Sequence, residues 1–171
     1  MLLKITNRVP LTTNSMPLRV LFVCLGNICR SPLAEGVFRK QVHEAGLGED
    51  LEVDSAGTGG WHVGQPPDRR MRQTASRHGV YLDDIRARKF DRADLDRFDL
   101  ILAMDRSNLY DILSMAGPEQ RSKVKLFMSY DESGGGQKDV PDPYYGGPDG
   151  FENVFEIVER TSRNILSSVS V

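Results

Sequence analysis

An α/β fold, with a parallel sheet covered by helices on both faces, is what this chain of 171 residues predicts. Short apolar runs of strand type, such as residues 20–23 and 98–103, alternate with segments whose apolar residues recur at helical spacing. The first run also ends on a cysteine that opens a short polar loop, and ligands in open parallel sheets bind beyond such strand ends. One domain with a real core suits this length, and no internal repeat divides it.

Residues 1–17 are mixed and polar, contain Pro10 and Pro17, and read as a disordered tail ahead of a domain over 18–171; Met16 stands where an initiator would. The first strand leads into a loop with Gly26 and Asn27 and then a helix near Pro32, whose Ala34, Val37, Phe38, Val42 and Ala45 share one face before Gly46 and Gly48 end it. Residues 51–55 form a short strand, and 57–67, rich in Gly and Pro, an irregular segment. A helix over 68–78 closes at Gly79. After the strand at 98–103, Asp105 caps a helix carrying Leu109, Ile112 and Leu113, which stops at Gly117 and Pro118. The fourth strand is 124–128, 133–137 is flexible, and prolines pin a turn over 139–145. Asp149 and Glu152 form a capping box for a last helix bearing Phe151, Val154, Phe155, Val158, Ile165 and Leu166.

The loop Cys24-Leu25-Gly26-Asn27-Ile28-Cys29-Arg30-Ser31 carries the chemistry. Successive backbone N–H groups can curl round one point, and the following helix N-terminus aims partial positive charge at it. Arg30 adds a planar, permanently charged fork suited to phosphate oxygens. Free thiols are only ~3% ionised at pH 7, so a nucleophilic sulfur needs this kind of stabilised negative charge. Ser31 is placed to hydrogen-bond the sulfur, and Asn27, tolerant of left-handed backbone, to hold the loop. Asp142, between Pro141 and Pro143, sits on a constrained turn and suits a general acid. An ordinary buried cysteine and an ordinary turn aspartate are the plain alternatives.

Cys24 to Pro32, Asp54 to Thr58, Gly60 to Gly64, Pro66 to Asp68, His78-Gly79, Met104-Asp105 and Asp142-Pro143-Tyr144-Tyr145 occur in order. Together they resemble the low-molecular-weight protein tyrosine phosphatases over about residues 18–168. The resemblance implies a single domain of three layers with a four-stranded parallel sheet and a phosphate-binding loop after the first strand. It implies a cysteine-dependent phosphatase that hydrolyses phosphotyrosine in proteins, and small aryl phosphates, through a phosphocysteine intermediate. Cys24, Arg30 and Asp142 are then catalytic, with Leu25, Gly26, Asn27, Ile28, Cys29, Ser31, Trp61, Tyr144 and Tyr145 binding substrate. Ser55 and His78 are expected to join Asn27 and Ser31 in a supporting network, with Asp105 near the site as well as at its helix cap. No metal or cofactor is implied, and inorganic phosphate is expected as product and inhibitor.

Other readings of the same loop differ at identifiable places. A related thiol-dependent arsenate reductase needs further cysteines downstream, and this chain has none after Cys29. Protein-arginine phosphatases resemble the pattern with Thr in place of Ile28 and a small residue in place of Tyr145. A non-catalytic phosphopeptide-binding or redox-sensing module would need neither Cys24 as nucleophile nor Asp142 as acid. Cys29 is either a reversible disulfide partner of Cys24 or a small buried hydrophobe.

Two cysteines five apart do not staple a fold, and reduced thiols fit a cytoplasmic setting. A net charge of −2 and the lack of a long apolar run argue against nucleic acid and membrane as partners, and a monomer is expected. Arg69, Arg70, Arg72 and the cluster at 86–89 read as solvated faces.

Overall fold

Strand β1 (Leu18–Cys24) lies inside a sheet of four, because its side chains are apolar on both faces and leave no side for water. The computed structural model describes residues 16–133, 135–144 and 146–169. In chain order, α1 (Arg30–Glu44), β2 (Leu51–Gly57), α2 (Arg69–Arg77), α3 (Asp94–Arg97), β3 (Leu100–Ala103), α4 (Arg106–Met115), β4 (Val124–Leu126) and α5 (Pro148–Val169) follow β1. The sheet order is β2-β1-β3-β4, and every pairing is parallel.

Alternation along the strands separates two cores. Val20, Phe22, Leu100 and Leu102 face α1 and α5, where Leu33, Phe38, Phe151 and Phe155 complete the packing. Leu21, Val23, Ile101 and Ala103 face the other way, onto Leu95, Phe98 and Ile112 of the α3 and α4 side. The three expected layers are therefore present. Two turns of 3₁₀ helix, Arg121–Lys123 and Phe127–Tyr130, flank β4.

Several boundaries differ from the sequence expectation. β4 ends at Leu126 rather than 128, because Phe127 and Met128 turn inward on 3₁₀ backbone and bury themselves. α3 is a single turn that periodicity cannot reveal in four residues. Glu152 does not close a capping box: its carboxylate faces His78 and Arg77 of the α2 end instead. Among the described residues, no helix is long and apolar enough to cross a membrane. Of the expected tail, residues 1–15 lie outside the described residues, and Met16 and Pro17 precede β1.

The chain leaves β1 for β2 on one side and later returns to β3 on the other. This reversal opens a crevice beyond the carboxyl end of β1. Cys24 is the last residue of that strand.

Candidate active site

The loop after Cys24 is held from outside by its own carbonyls. Thr58 N–H donates to Cys24 O at 2.9 Å, Gly59 N–H to Leu25 O at 2.8 Å and Asp68 N–H to Ile28 O at 2.7 Å. With those oxygens engaged outward, the loop can turn amides inward. Asn27 does so at φ 55, and its N–H points to Cys24 Sγ at 3.3 Å. Asn tolerates this left-handed backbone better than other non-glycine residues, which explains its place there. Gly57 at the end of β2 allows the close approach, since a Cβ there would stand 2.9 Å from Leu25 O.

A buried chain of side chains leads away from the sulfur. Ser31 Oγ lies 3.0 Å from Cys24 Sγ and 3.3 Å from Ala56 O. It accepts from Asn27 Nδ2 at 2.8 Å, so its own proton is left for the sulfur or for Ala56 O. The same Asn27 amide donates to Ser55 Oγ at 3.0 Å, and the Ser55 hydroxyl donates to Glu35 Oε1 at 2.8 Å. Arg39 closes the chain on Glu35 Oε2 at 2.7 Å. Burial pushes the Glu35 carboxyl above its ordinary value, against the opposing pull of Arg39 and Ser55.

His78 does not belong to this network. Its ring stacks on Phe155 with centroids 4.0 Å apart and hydrogen-bonds Glu152, at the far end of α2. The place expected for it is taken by Glu35. Sequence reasoning passed over Glu35 because an acidic residue on a helix reads as surface, yet it is only 4% exposed.

Arg30, 3% exposed, is fixed by Asp105 Oδ2 at 2.7 Å and Val140 O at 3.0 Å. Burial works against its charge, but the Cys24 sulfur and the Asp105 carboxylate outweigh that and leave the guanidinium more firmly protonated than usual. Asp105 also caps α4, accepting Asn108 N–H on Oδ1 at 2.7 Å. Asp142 Oδ2 lies 3.6 Å from Arg30 Nη2, and its Oδ1 accepts Tyr144 N–H at 3.1 Å, which holds the turn. Burial first, then the negative charges of Asp68, Cys24 and Asp142, push the Cys29 thiol well above its ordinary value. It is a neutral, buried thiol, and both cysteines are unbridged.

Cys24, Cys29, Arg30 and Asp142 share a cavity of about 290 Å³. The buried Cys24, Cys29 and Arg30 line it together with Gly26 and Ile28 of the loop and Asp142. Leu25, Trp61 and Tyr144 stand around the mouth, and Trp61 is 71% exposed. An indole so exposed contributes little to the core and is free to meet a ligand. His62, inside the Gly60–Gly64 run, also lines the cavity. Tyr145 lies outside the described residues. Among the described residues, no three His, Cys, Asp or Glu side chains gather to hold a metal ion.

Arg88 departs from the expected solvated face. It bonds Asp54 at 3.1 Å and Asp94 at 3.0 and 3.1 Å, and its N–H donates to Asn27 Oδ1 at 3.0 Å. The residue therefore braces the loop from behind, which no local pattern signals. Arg70 is also engaged: it packs over the rings of Tyr144 and Phe151.

A family model described as low molecular weight phosphotyrosine protein phosphatase matches residues 19–171. A low molecular weight protein-tyrosine-phosphatase of Streptomyces coelicolor is 50% identical over 156 residues, covering 90% of this chain and 94% of its own. The low molecular weight phosphotyrosine protein phosphatase of Homo sapiens is 44% identical over 149 residues, covering 86% of this chain and 92% of its own. Among solved structures, YfkJ from Bacillus subtilis superposes with a TM-score of 0.84 at 43% identity, covering 90% of this chain and 94% of that one. A protein tyrosine phosphatase from Entamoeba histolytica, with Hepes in its active site, gives 0.84 at 39% identity, covering 88% and 95%.

Proposed function

The chain belongs to the low molecular weight phosphotyrosine protein phosphatases, and from that premise we propose that Cys24 is the nucleophile of a two-step phosphotyrosine hydrolysis. The enzyme is a protein-tyrosine-phosphatase. What carries the mechanistic reading is one arrangement: Ser31 Oγ and Asn27 N–H at the Cys24 sulfur, with Arg30 lining the same cavity.

In the first step the Cys24 thiolate attacks phosphorus in line, forming an S–P bond as the P–O bond to tyrosine breaks. Loop amides and Arg30 hold the charge on the equatorial oxygens. The tyrosine phenolate, whose conjugate acid has a pKa near 10 in general, leaves as the phenol with a proton from the Asp142 carboxylic acid. In the second step the Asp142 carboxylate takes a proton from water while the water oxygen attacks phosphorus. The S–P bond breaks, inorganic phosphate departs and the thiolate returns; phosphate also competes for the cradle as an inhibitor. The Ser31 hydroxyl stabilises the sulfur as it leaves, held there by Asn27, Ser55 and Glu35.

Leu25, Trp61 and Tyr144 give the apolar walls that a flat ring requires, with Gly26 and Ile28 of the loop lining the same cavity. Tyr145 is assigned to substrate binding from its place in the Asp-Pro-Tyr-Tyr run alone. Once a peroxide oxidises the Cys24 thiolate to a sulfenic acid, the Cys29 thiol closes a reversible disulfide on it with loss of water, which spares Cys24 from further oxidation. The protein acts as a cytoplasmic monomer on phosphotyrosine proteins. Side-by-side turnover of phosphotyrosine and phosphoarginine peptides tests the substrate class. Phosphotyrosine is expected to be hydrolysed far faster, and faster turnover of phosphoarginine would overturn the assignment.

A further inference from the structure

Beyond the wall made by Tyr144 lies a second cavity, of about 390 Å³, that the phosphotyrosine reaction does not use. Arg70, Gln73, Thr74 and Arg77 of α2 line one side, and Phe151 of α5 with the Gly146 backbone lines the other. We propose that this cavity is a subsite for an acidic side chain of the substrate polypeptide, placed a few residues from the phosphotyrosine. The proposal rests on the phosphatase reading above and adds a choice among substrates to it.

The lining is rich in donors and holds no acidic residue, although Asp68 pairs with Arg70 from outside it. α2 carries Arg69, Arg70, Arg72 and Arg77 and no acidic residue. Arg70 is held rigidly: Asp68 takes its Nε at 3.1 Å and Nη2 at 3.0 Å, and Nη2 also donates to Tyr144 O at 3.1 Å. Its guanidinium carbon stands 5.4 Å from the Tyr144 ring centroid and 4.7 Å from that of Phe151. A cation already fixed in this way loses little freedom when a carboxylate arrives. Among the described residues its Nη1 makes no hydrogen bond.

Thr74 supplies an independent observation. It is only 2% exposed and its hydroxyl accepts from Arg77 Nη2 at 3.1 Å, so its proton remains for an acceptor within the cavity. Among the described residues that proton has no partner. The carboxylate paired with Arg77 among the described residues, that of Glu152, is 3.6 Å away and also hydrogen-bonds His78. Arg70 is common to the second cavity and to the back of Tyr144, while Tyr144 lines the first. A peptide leaving the phosphotyrosine pocket past Tyr144 therefore meets the guanidinium next.

Phosphotyrosyl peptides that carry a single Glu, scanned through the flanking positions and each matched to its Gln counterpart, test the subsite. Para-nitrophenyl phosphate, which has no flanking residues, reports the chemistry alone. At one or more positions Glu is expected to raise kcat/KM about fivefold over Gln, an effect that shrinks with added salt. Arg77→Gln should abolish that preference, and Gln73→Glu, which sets a carboxylate in the cavity, should reverse it. Both variants should hydrolyse para-nitrophenyl phosphate at the wild-type rate. Equal turnover of Glu and Gln peptides at every position, or a preference that survives Arg77→Gln, would overturn the subsite with the phosphatase reading intact. No hydrolysis of para-nitrophenyl phosphate by the wild-type protein would instead remove the phosphatase reading and the subsite together.

Discussion

Asp105 holds Arg30 with one carboxylate oxygen and the N-terminus of α4 with the other, both at 2.7 Å. A single side chain thus ties the cavity-lining guanidinium to the end of β3 and to the helix after it. Its two contacts can be separated by mutation.

Asp105→Asn keeps a good cap but removes the charge opposite Arg30. The variant is expected to unfold in urea close to the wild type while kcat/KM on an aryl phosphate falls about tenfold. Asp105→Ala loses the cap as well and should cost a further ~1 kcal/mol of stability. Full activity in the Asn variant would show that Arg30 does not depend on this carboxylate.

Asp142→Ala separates proton donation from binding. Turnover of phosphotyrosine should fall by ~10²–10⁴-fold, the usual worth of a general acid. An aryl phosphate with an acidic leaving group needs no proton and should lose much less. Equal losses on the two substrates refute the acid assignment.

Gly57→Ala probes the closeness of β2 to the loop. Its Cβ would meet Leu25 O at 2.9 Å and Asn27 N at 3.1 Å, both backbone atoms that cannot swing aside. The loop must shift, and misplacing catalytic groups by an ångström can cost ~10²-fold in rate. Circular dichroism should show the fold retained. A variant with wild-type kcat would mean that the loop tolerates displacement.

Asp131 contributes to the pH dependence of stability away from the site. Asp131 accepts from Arg160 Nε at 3.1 Å and Nη2 at 3.0 Å, and these bonds hold its carboxyl below the ordinary value. A depressed carboxyl stabilises the folded state above its unfolded pKa, and that contribution is lost as pH falls through the folded one. Asp131→Asn should therefore cost up to ~1 kcal/mol at pH 7, with the difference from wild type fading below about pH 4. Urea unfolding at several pH values measures it. A difference that persists undiminished at about pH 2 contradicts the pairing.

The loop from Cys24 to Ser31 was legible because its parts are local: strand, cysteine, amides and helix start are consecutive residues. The parallel sheet followed from alternating segments, and the cap at Asp105 from its position before a helical run. Contacts made across the fold were not legible. His78 precedes Gly79 as a helix end should, yet only packing shows its ring on Phe155 rather than near Ser55. Glu35 and Arg88 carry charge and so read as surface, although ion pairs make their partial burial tolerable.

Rapid mixing with a phosphotyrosyl peptide labelled in its phosphate, quenched in denaturant within the first turnover and followed by peptide mapping, goes straight to the role of Cys24. The label should appear on the peptide containing Cys24, decay at the rate of phosphate release, and be absent from Cys24→Ser, which should bind phosphate but not turn over. Label on any other side chain, or hydrolysis that continues in Cys24→Ser, would contradict a sulfur nucleophile.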